Sequence, residues 1–403
     1  MKDSSTFRIT VCVILWIVLL ILLGYIGYHI VPVSTVNQGL SYLERWSNWD
    51  GRTYLSIAQD GYGATGQISY AFFPGYPLVV YVVSQITGSV FVAGWLVSGG
   101  ALILAIHLWY QHVKLEYDRW HHVASCSILM LLTFPTAFFL LATYTESFFL
   151  VTVLASCLLY RNKRYMVSGI AGLVAAATRI TGVALLAFFA VEIISYVRQS
   201  RSVSIVRIST KDSSKENRKS RLVGMLISPM LTLLGLISYM VYLWYQTGDA
   251  FAFLTLQQEA YGRSQITYPI KPLLAYLYDW IMHPHNVFAT WMGSVIFFDF
   301  VVSVVFLCTI IAGLFLPIRR SYLAYSIVAW SLPLMTGMTS SMSRYVLILF
   351  PSFIVPALLF DRLGKQGTVN VSWLRWLSVV WIILSYCLMT ALAICFIGGY
   401  WIA

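Results

Sequence analysis

Residues 9–30 form an uncharged apolar run of 22 residues behind Lys2 and Arg8, and ten more apolar segments follow along the chain. A helix crosses the hydrocarbon core of a bilayer with about 20 such residues, and in lipid only helices and closed barrels satisfy their own backbone. The candidate spans are 9–31, 88–110, 123–141, 144–160, 165–178, 180–197, 223–245, 291–316, 321–337, 345–360 and 377–397. Apolar residues make up 59% of the 403-residue chain and charged residues only 10%, against about 45–50% and about 25% in soluble domains. A soluble enzyme, a disordered chain and a secreted disulfide scaffold are excluded. The six cysteines lie in apolar stretches with no CxxC pair, so they are thiols and not a framework. The first run is too long for a signal-peptide core and has no small-x-small cleavage site behind it, so it is read as a helix that stays. The expectation is an all-α polytopic membrane protein of about eleven transmembrane helices, a single integral domain over 1–403.

Charge sets the expected orientation. The net charge of +11 does not indicate nucleic acid, because the positives cluster in short segments between apolar runs, as the positive-inside rule requires. With the N-terminus in the cytoplasm, the N-terminal tail and segments 111–122, 161–164, 198–222, 318–320 and 361–376 are inside. Counting Glu192 at a helix end, the inside holds 20 of the 26 Lys and Arg and 7 of the 15 acids, which leaves 6 positives and 8 negatives outside. The C-terminus is then extracytoplasmic. Segment 198–222 reads as a basic cytoplasmic loop, a solvated tether near anionic headgroups. Residues 71–110 carry no charge; 71–87 is expected to be interfacial or re-entrant, because FFPGYP interrupts a helix, and 88–110 to span. The short segments 165–178 and 180–197 read together as a dipping hairpin.

The polar chemistry lies in two long outside segments, 32–87 and 246–290. Loops of this length in a compact protein are usually functional. Both are rich in Trp, Tyr and Phe, which suits helices at headgroup level and would also suit a simple aromatic belt. A belt does not need Asp50, Arg52, Asp60, Asp249, Glu259 and Arg263 interleaved with it, which favours a roof over a site at membrane level. Asp50 follows Trp46 and Trp49 and precedes Gly51. Two readings stand for it: an ordinary N-cap or turn, and a catalytic carboxylate. Asp60-Gly61 reads as turn chemistry. Glu146 sits at the outer junction of two spans, where a carboxylate is expensive; it is either functional or satisfied by Thr143 and Thr145. Arg179 in TRITG and Arg344 in SMSRY are isolated outer cations, whose partner is either a phosphate or an internal carboxylate such as Glu146 or Asp299.

WSNWDGRTYLSIAQDGY followed by AFFPGYP resembles the signature of the PIG-V-like mannosyltransferases, relatives of GPI mannosyltransferase II among the GT-C membrane glycosyltransferases. FPTAFFLLATYTESFF, TRITG, TGDAFAFLTLQQEAYGR, SMSRYVLILFPSF and the terminal GYWIA are similar in the same order, so the resemblance spans nearly the whole chain. It departs at Tyr261, where a Trp is more usual, and in its short loops, which suggest a compact bacterial member. The resemblance implies a GT-C fold and a lipid-linked donor, polyprenyl or dolichyl phosphate mannose, used outside the cytoplasm. The implied acceptor is a glycan, glycolipid or protein, and the sugar is transferred with inversion at its anomeric carbon. It implies Asp50 as general base, with Glu146 supporting it or orienting the acceptor. Arg179, Arg263 and Arg344 become candidates for the phosphate, and Trp49, Arg52 and Asp249 further candidates for substrate binding. No cofactor or metal is expected, since the chain has neither a Gly-rich phosphate loop on a βαβ unit nor an Asp-x-Asp pair. Two rival classes remain at this point: a transporter or flippase of a lipid-linked sugar, and a non-catalytic subunit of a membrane complex. No internal repeat of the kind many transporters show is found.

Overall fold

The computed structural model describes residues 4–32, 34, 37–64, 66–117, 120–206, 213–263, 266–366 and 371–403. Among these the chain is helical throughout, with one isolated bridge between Gly63 and Gly66 as its only β pairing. The helices are α1 (Ser4–Ile30), α2 (Asp50–Asp60), α3 (Gly75–Thr87), α4 (Val90–Glu116), α5 (Trp120–Leu132), α6 (Glu146–Arg161), α7 (Tyr165–Thr178), α8 (Leu185–Val206) and α9 (Ser213–Thr247). They continue with α10 (Ala252–Tyr261), α11 (Lys271–Met282), α12 (Pro284–Phe288), α13 (Trp291–Gly313), α14 (Arg320–Leu334), α15 (Met342–Tyr345), α16 (Phe350–Gln366) and α17 (Val371–Gly398).

Six of the described helices are long and apolar enough to cross a membrane unaided: α1, α4, the segment Ile180–Ser200, the apolar part of α9, α13 and α17. A seventh is broken, Met342–Ile348 joined to Phe350–Leu363 at a bend of 77°. The protein is therefore an all-α, multi-pass membrane protein, as expected. The count of about eleven spans is not confirmed, because α5, α6, α7 and α14 have 13, 16, 14 and 15 residues and are individually too short. Neighbours shelter them. In α7, Gly172 abuts the Thr232 hydroxyl of α9, and Gly235 of α9 abuts the Leu173 carbonyl in return. Small residues of this kind let helices approach closely in lipid.

Three local expectations change. Segment 180–197 is not half of a dipping hairpin, since residues Ile180–Ser200 reach crossing length. The segment read as the loop 198–222 is mostly helical, because its Lys, Arg and Glu are good helix formers and α8 and α9 extend into it as far as Val206 and from Ser213. Its Arg207 and Lys211 lie outside the described residues, as do Asp118 and Arg119 of segment 111–122, four residues of 32–87, two of 246–290 and four of 361–376. Residues 71–87 do contain a helix, α3, whose 13 residues reach only about 20 Å against a core of about 30 Å. Both prolines of FFPGYP fit it: Pro74 precedes the helix and Pro77 sits in its first turn, where the missing N–H costs nothing.

The bundle has two chemically distinct ends. At one, Arg161 and Arg319 bridge Glu116 at 3.0 and 2.7 Å and approach Glu192 at 3.9 and 3.6 Å. This neutral quartet ties the close of α4 and α6 to α8 and the start of α14. The opposite end carries the start of α6, at Glu146, together with α2, α3 and α10. Ser34 N donates to Gly398 O at 3.0 Å, so α1 and α17 finish on the same face. Helix α1 therefore starts, and α17 finishes, at opposite ends of the bundle.

Candidate active site

The site is built around the start of α2. That helix begins at Asp50 itself, after Trp49 takes a φ of 58° and a ψ of −124°, and no side chain caps it. A bulky residue at positive φ costs energy and persists only where its surroundings over-determine it. Here the flanks are pinned: Tyr144 OH donates to Asn48 O at 2.7 Å, Asn48 Nδ2 to Phe396 O at 2.7 Å, and Thr143 N to Trp46 O at 3.3 Å. Gly51 is needed for space, since a Cβ there would lie 3.0 Å from Thr143 Oγ1 and 3.1 Å from the Tyr144 ring. The N-cap reading of Asp50 is thus overturned. Its carboxylate turns away from the helix end and accepts from Arg344 Nη1 at 2.8 Å through Oδ2. Among the described residues Oδ1 has no partner, and the side chain stays 27% exposed.

Arg344 reaches this point from the broken segment. Asp299 of α13 is fully buried and accepts the Ser341 and Ser343 amides, each at 2.8 Å. These bonds fold the turn at Ser341, whose φ is 68°, and so fix the direction of Arg344, three residues on. Beneath Arg344 lies Glu146, fully buried at the start of α6, with its Oε1 3.5 Å from Arg344 Nε. Arg179 Nη1 donates to the same Oε1 at 2.6 Å and to Thr145 Oγ1 at 2.9 Å. Arg263 makes no ion pair among the described residues and donates to Tyr345 OH at 3.3 Å. The Tyr345 ring lies 4.9 Å from the Arg179 guanidinium and 5.2 Å from that of Arg344, within range of a cation–π attraction.

Asp50, Arg179, Arg263, Arg344 and Tyr345 line a cavity of about 750 Å³, a size suited to a small organic ligand. Its acidic and basic side chains are one carboxylate, Asp50, and three guanidiniums, Arg179, Arg263 and Arg344. Most of the remainder is apolar: Phe72, Phe73, Ile180, Phe251, Phe253, Met292, Ile296, Leu332, Met338 and Trp401. A third group of neutral polar side chains, Tyr54, Thr178, Thr181, Thr255, Gln257 and Gln258, also lines it. Cationic excess with one open carboxylate suits an anion whose neighbour must lose a proton, and the apolar walls suit a hydrocarbon.

The other candidates stand elsewhere. Glu146 is below the wall and meets the cavity only through the arginines. Arg52 points away from it and donates from Nη2 to Asn37 Oδ1 and Asn48 Oδ1, both at 2.6 Å. Trp49 is 39% exposed and outside the lining. Asp249 accepts from Phe251 N at 2.8 Å and Thr255 Oγ1 at 3.1 Å, which shapes the approach to α10. Asp60 and Glu259 are exposed. Two lining residues stand apart from the sequence candidates: Tyr54, four residues after Asp50 on α2, and Tyr345, which follows Arg344 directly.

Fold and site together define a polytopic, all-helical membrane protein with a charged-ended apolar cavity. No family model matches the chain, and no curated protein matches it. Among solved structures it is similar to ArnT from Cupriavidus metallidurans bound to undecaprenyl phosphate. The identity is 12%, over 97% of this chain and 76% of that one, with a TM-score of 0.48. ArnT from the same organism in the apo state gives 14%, 99%, 75% and 0.46. At these values the likenesses assign neither a family nor a reaction to the chain.

Proposed function

We propose that the chain is an inverting GT-C glycosyltransferase that moves mannose from polyprenyl phosphate mannose to a hydroxyl acceptor outside the cytoplasm. The observation that carries this reading is the cavity's charge arrangement: three guanidiniums and one carboxylate line an otherwise mostly apolar cavity, and that carboxylate, paired with Arg344 through Oδ2, has no partner at Oδ1 among the described residues. In the proposed reaction the acceptor oxygen attacks the anomeric carbon while Asp50 Oδ1 takes its proton. The bond from that carbon to the phosphate oxygen breaks on the opposite side, and the electron pair leaves on polyprenyl phosphate. Arg344, Arg179 and Arg263 then face the charge that develops on the leaving group. A single displacement inverts the sugar.

Depth supports a membrane-held donor. Helix α6 has 16 residues, about 24 Å, and the hydrocarbon core is about 30 Å thick. Both of its ends are ion-paired, so at least one charged end lies below the level of the headgroups or the bilayer thins around it. The partition of basic residues supports an external position for the Asp50 end. Reporter fusions after Arg221 and after Ala403 should accordingly report opposite sides of the membrane, cytoplasmic and external respectively; the same side for both refutes the topology.

The reading is tested by incubating purified protein with radiolabelled polyprenyl phosphate mannose and a cell-envelope extract. The expected result is label in a new, non-donor product that depends on the protein. Label that crosses vesicle membranes while remaining on the donor lipid overturns the proposal in favour of a carrier.

A further inference from the structure

Asp50 and Tyr54 are four residues apart on α2, so their side chains leave the same helix face about 6 Å apart. Tyr54 is only 9% exposed. Its ring is held edge-on between Phe72, at 5.1 Å, and Tyr76, at 5.6 Å. It lines the cavity, yet its hydroxyl has no hydrogen-bond partner among the described residues and is not sealed from solvent. The neighbouring buried phenols behave differently. Tyr76 OH bonds to Ser98 Oγ at 2.9 Å, Tyr144 OH to Asn48 O at 2.7 Å, and Tyr239 OH to Phe72 O at 2.8 Å. A phenol whose ring is packed while its hydroxyl stays open to the cavity presents a donor there that no protein group among the described residues uses. Burial raises its pKa, with Asp50 and Glu146 adding to the rise against the lowering by Arg179 and Arg344. The phenol is therefore a donor at every physiological pH.

The facing wall matches it. On α10, Leu254, Gln257, Gln258 and Tyr261 all line the cavity, and their spacing of 3, 4 and 7 residues marks one helix face. Neither glutamine side chain has a hydrogen-bond partner among the described residues. These are neutral donors and acceptors, separate in chemistry from the arginines.

We propose that Tyr54, with Gln257 and Gln258, forms a subsite for an uncharged polyhydroxylated group, to which the Tyr54 hydroxyl donates within reach of Asp50. The inference rests on the glycosyltransferase reading for its place in the reaction, and on the cavity wall alone for its ligand chemistry. The group is either the sugar carried by the donor or a sugar of the acceptor.

The test compares wild type with Tyr54→Phe, which removes one oxygen and keeps the ring between Phe72 and Tyr76. Equilibrium binding is measured for polyprenyl phosphate mannose, bare polyprenyl phosphate and methyl α-mannoside, beside thermal stability. Bare polyprenyl phosphate should bind both proteins alike, whereas at least one sugar-bearing probe should bind the variant about 5- to 100-fold more weakly. A loss confined to polyprenyl phosphate mannose assigns the subsite to the donor sugar; a loss confined to methyl α-mannoside assigns it to the acceptor. Equal binding of all three probes by both proteins overturns the subsite, as does an equal loss for bare polyprenyl phosphate. Because no turnover is read, a protein that transfers nothing refutes the glycosyltransferase reading and leaves this outcome separately legible.

Discussion

Asp50→Asn should lower sugar transfer by about 10²–10⁴-fold, the usual consequence of removing a general base, while the protein still folds and binds donor. Asparagine keeps an oxygen for Arg344 Nη1, which now lies 2.8 Å from Oδ2, but it cannot accept the proton of the attacking hydroxyl. The variant loses a negative charge at the first turn of α2, worth about 0.3–1 kcal/mol near a helix N-terminus. It also weakens an ion pair. Arg344 retains Glu146 at 3.5 Å, so the loss stays below the about 3–5 kcal/mol seen when a buried charge is left alone. Transfer is measured under single-turnover conditions with saturating polyprenyl phosphate mannose, with a thermal melt beside it. A folded Asp50→Asn protein that transfers at more than a tenth of the wild-type rate removes Asp50 from the role of base. Asp60→Asn, at the exposed far end of the same helix, is the control and should be near wild type.

The large-scale organisation was legible because lipid imposes one rule on every span, an apolar stretch of sufficient length, and hydropathy reports that rule directly. Boundaries were less so. α8 and α9 run into the basic segment because lysine and glutamate favour helix as readily as they favour water. The short helices α5, α6, α7 and α14 break the length rule because neighbours shelter them, and no single stretch of sequence reports its neighbours.

Within the site, what was missed follows from helix geometry and long-range pairing. Arg52 is adjacent to Asp50 in the motif and was placed with it, but two residues on an α-helix turn about 200°, which sends Arg52 to Asn37 and Asn48 instead. Tyr54 turns about 400°, back almost to the direction of Asp50, and an aromatic side chain on a mostly apolar face gives no sign that its hydroxyl is unpaired. Trp49 looked like part of a recognition surface; what it supplies is the backbone kink that starts α2 at Asp50. The pairing of Asp50 with Arg344 spans 294 residues, and spacing along the chain carries no information about it. Asp299 was weighed as a partner for an outer arginine. It acts on Arg344 through the backbone, at Ser341 and Ser343.

Arg344→Lys is expected to lower turnover by about 10-fold or more and Arg344→Ala by about 10²–10³-fold, the range for removing one preorganised donor from a developing anion. The guanidinium is suited to serve several partners at once: Nη1 holds Asp50, Nε faces Glu146, and the plane lies 5.1 Å from the Tyr144 ring. An ammonium keeps the charge and loses the planar fork, so lysine separates geometry from charge. Alanine also strands Asp50 without its cation, and some of its effect will appear as lost stability. Arg179 has a different failure mode. Its partner Glu146 is fully buried, and Arg179→Ala should cost stability before it costs rate. Donor affinity and single-turnover rate are therefore measured for both arginines, with melting curves alongside. If Arg344→Lys binds polyprenyl phosphate mannose and turns it over within twofold of wild type, Arg344 holds the fold at Asp50 and does not face the phosphate, and Arg263, which makes no ion pair among the described residues, becomes the residue to test in its place.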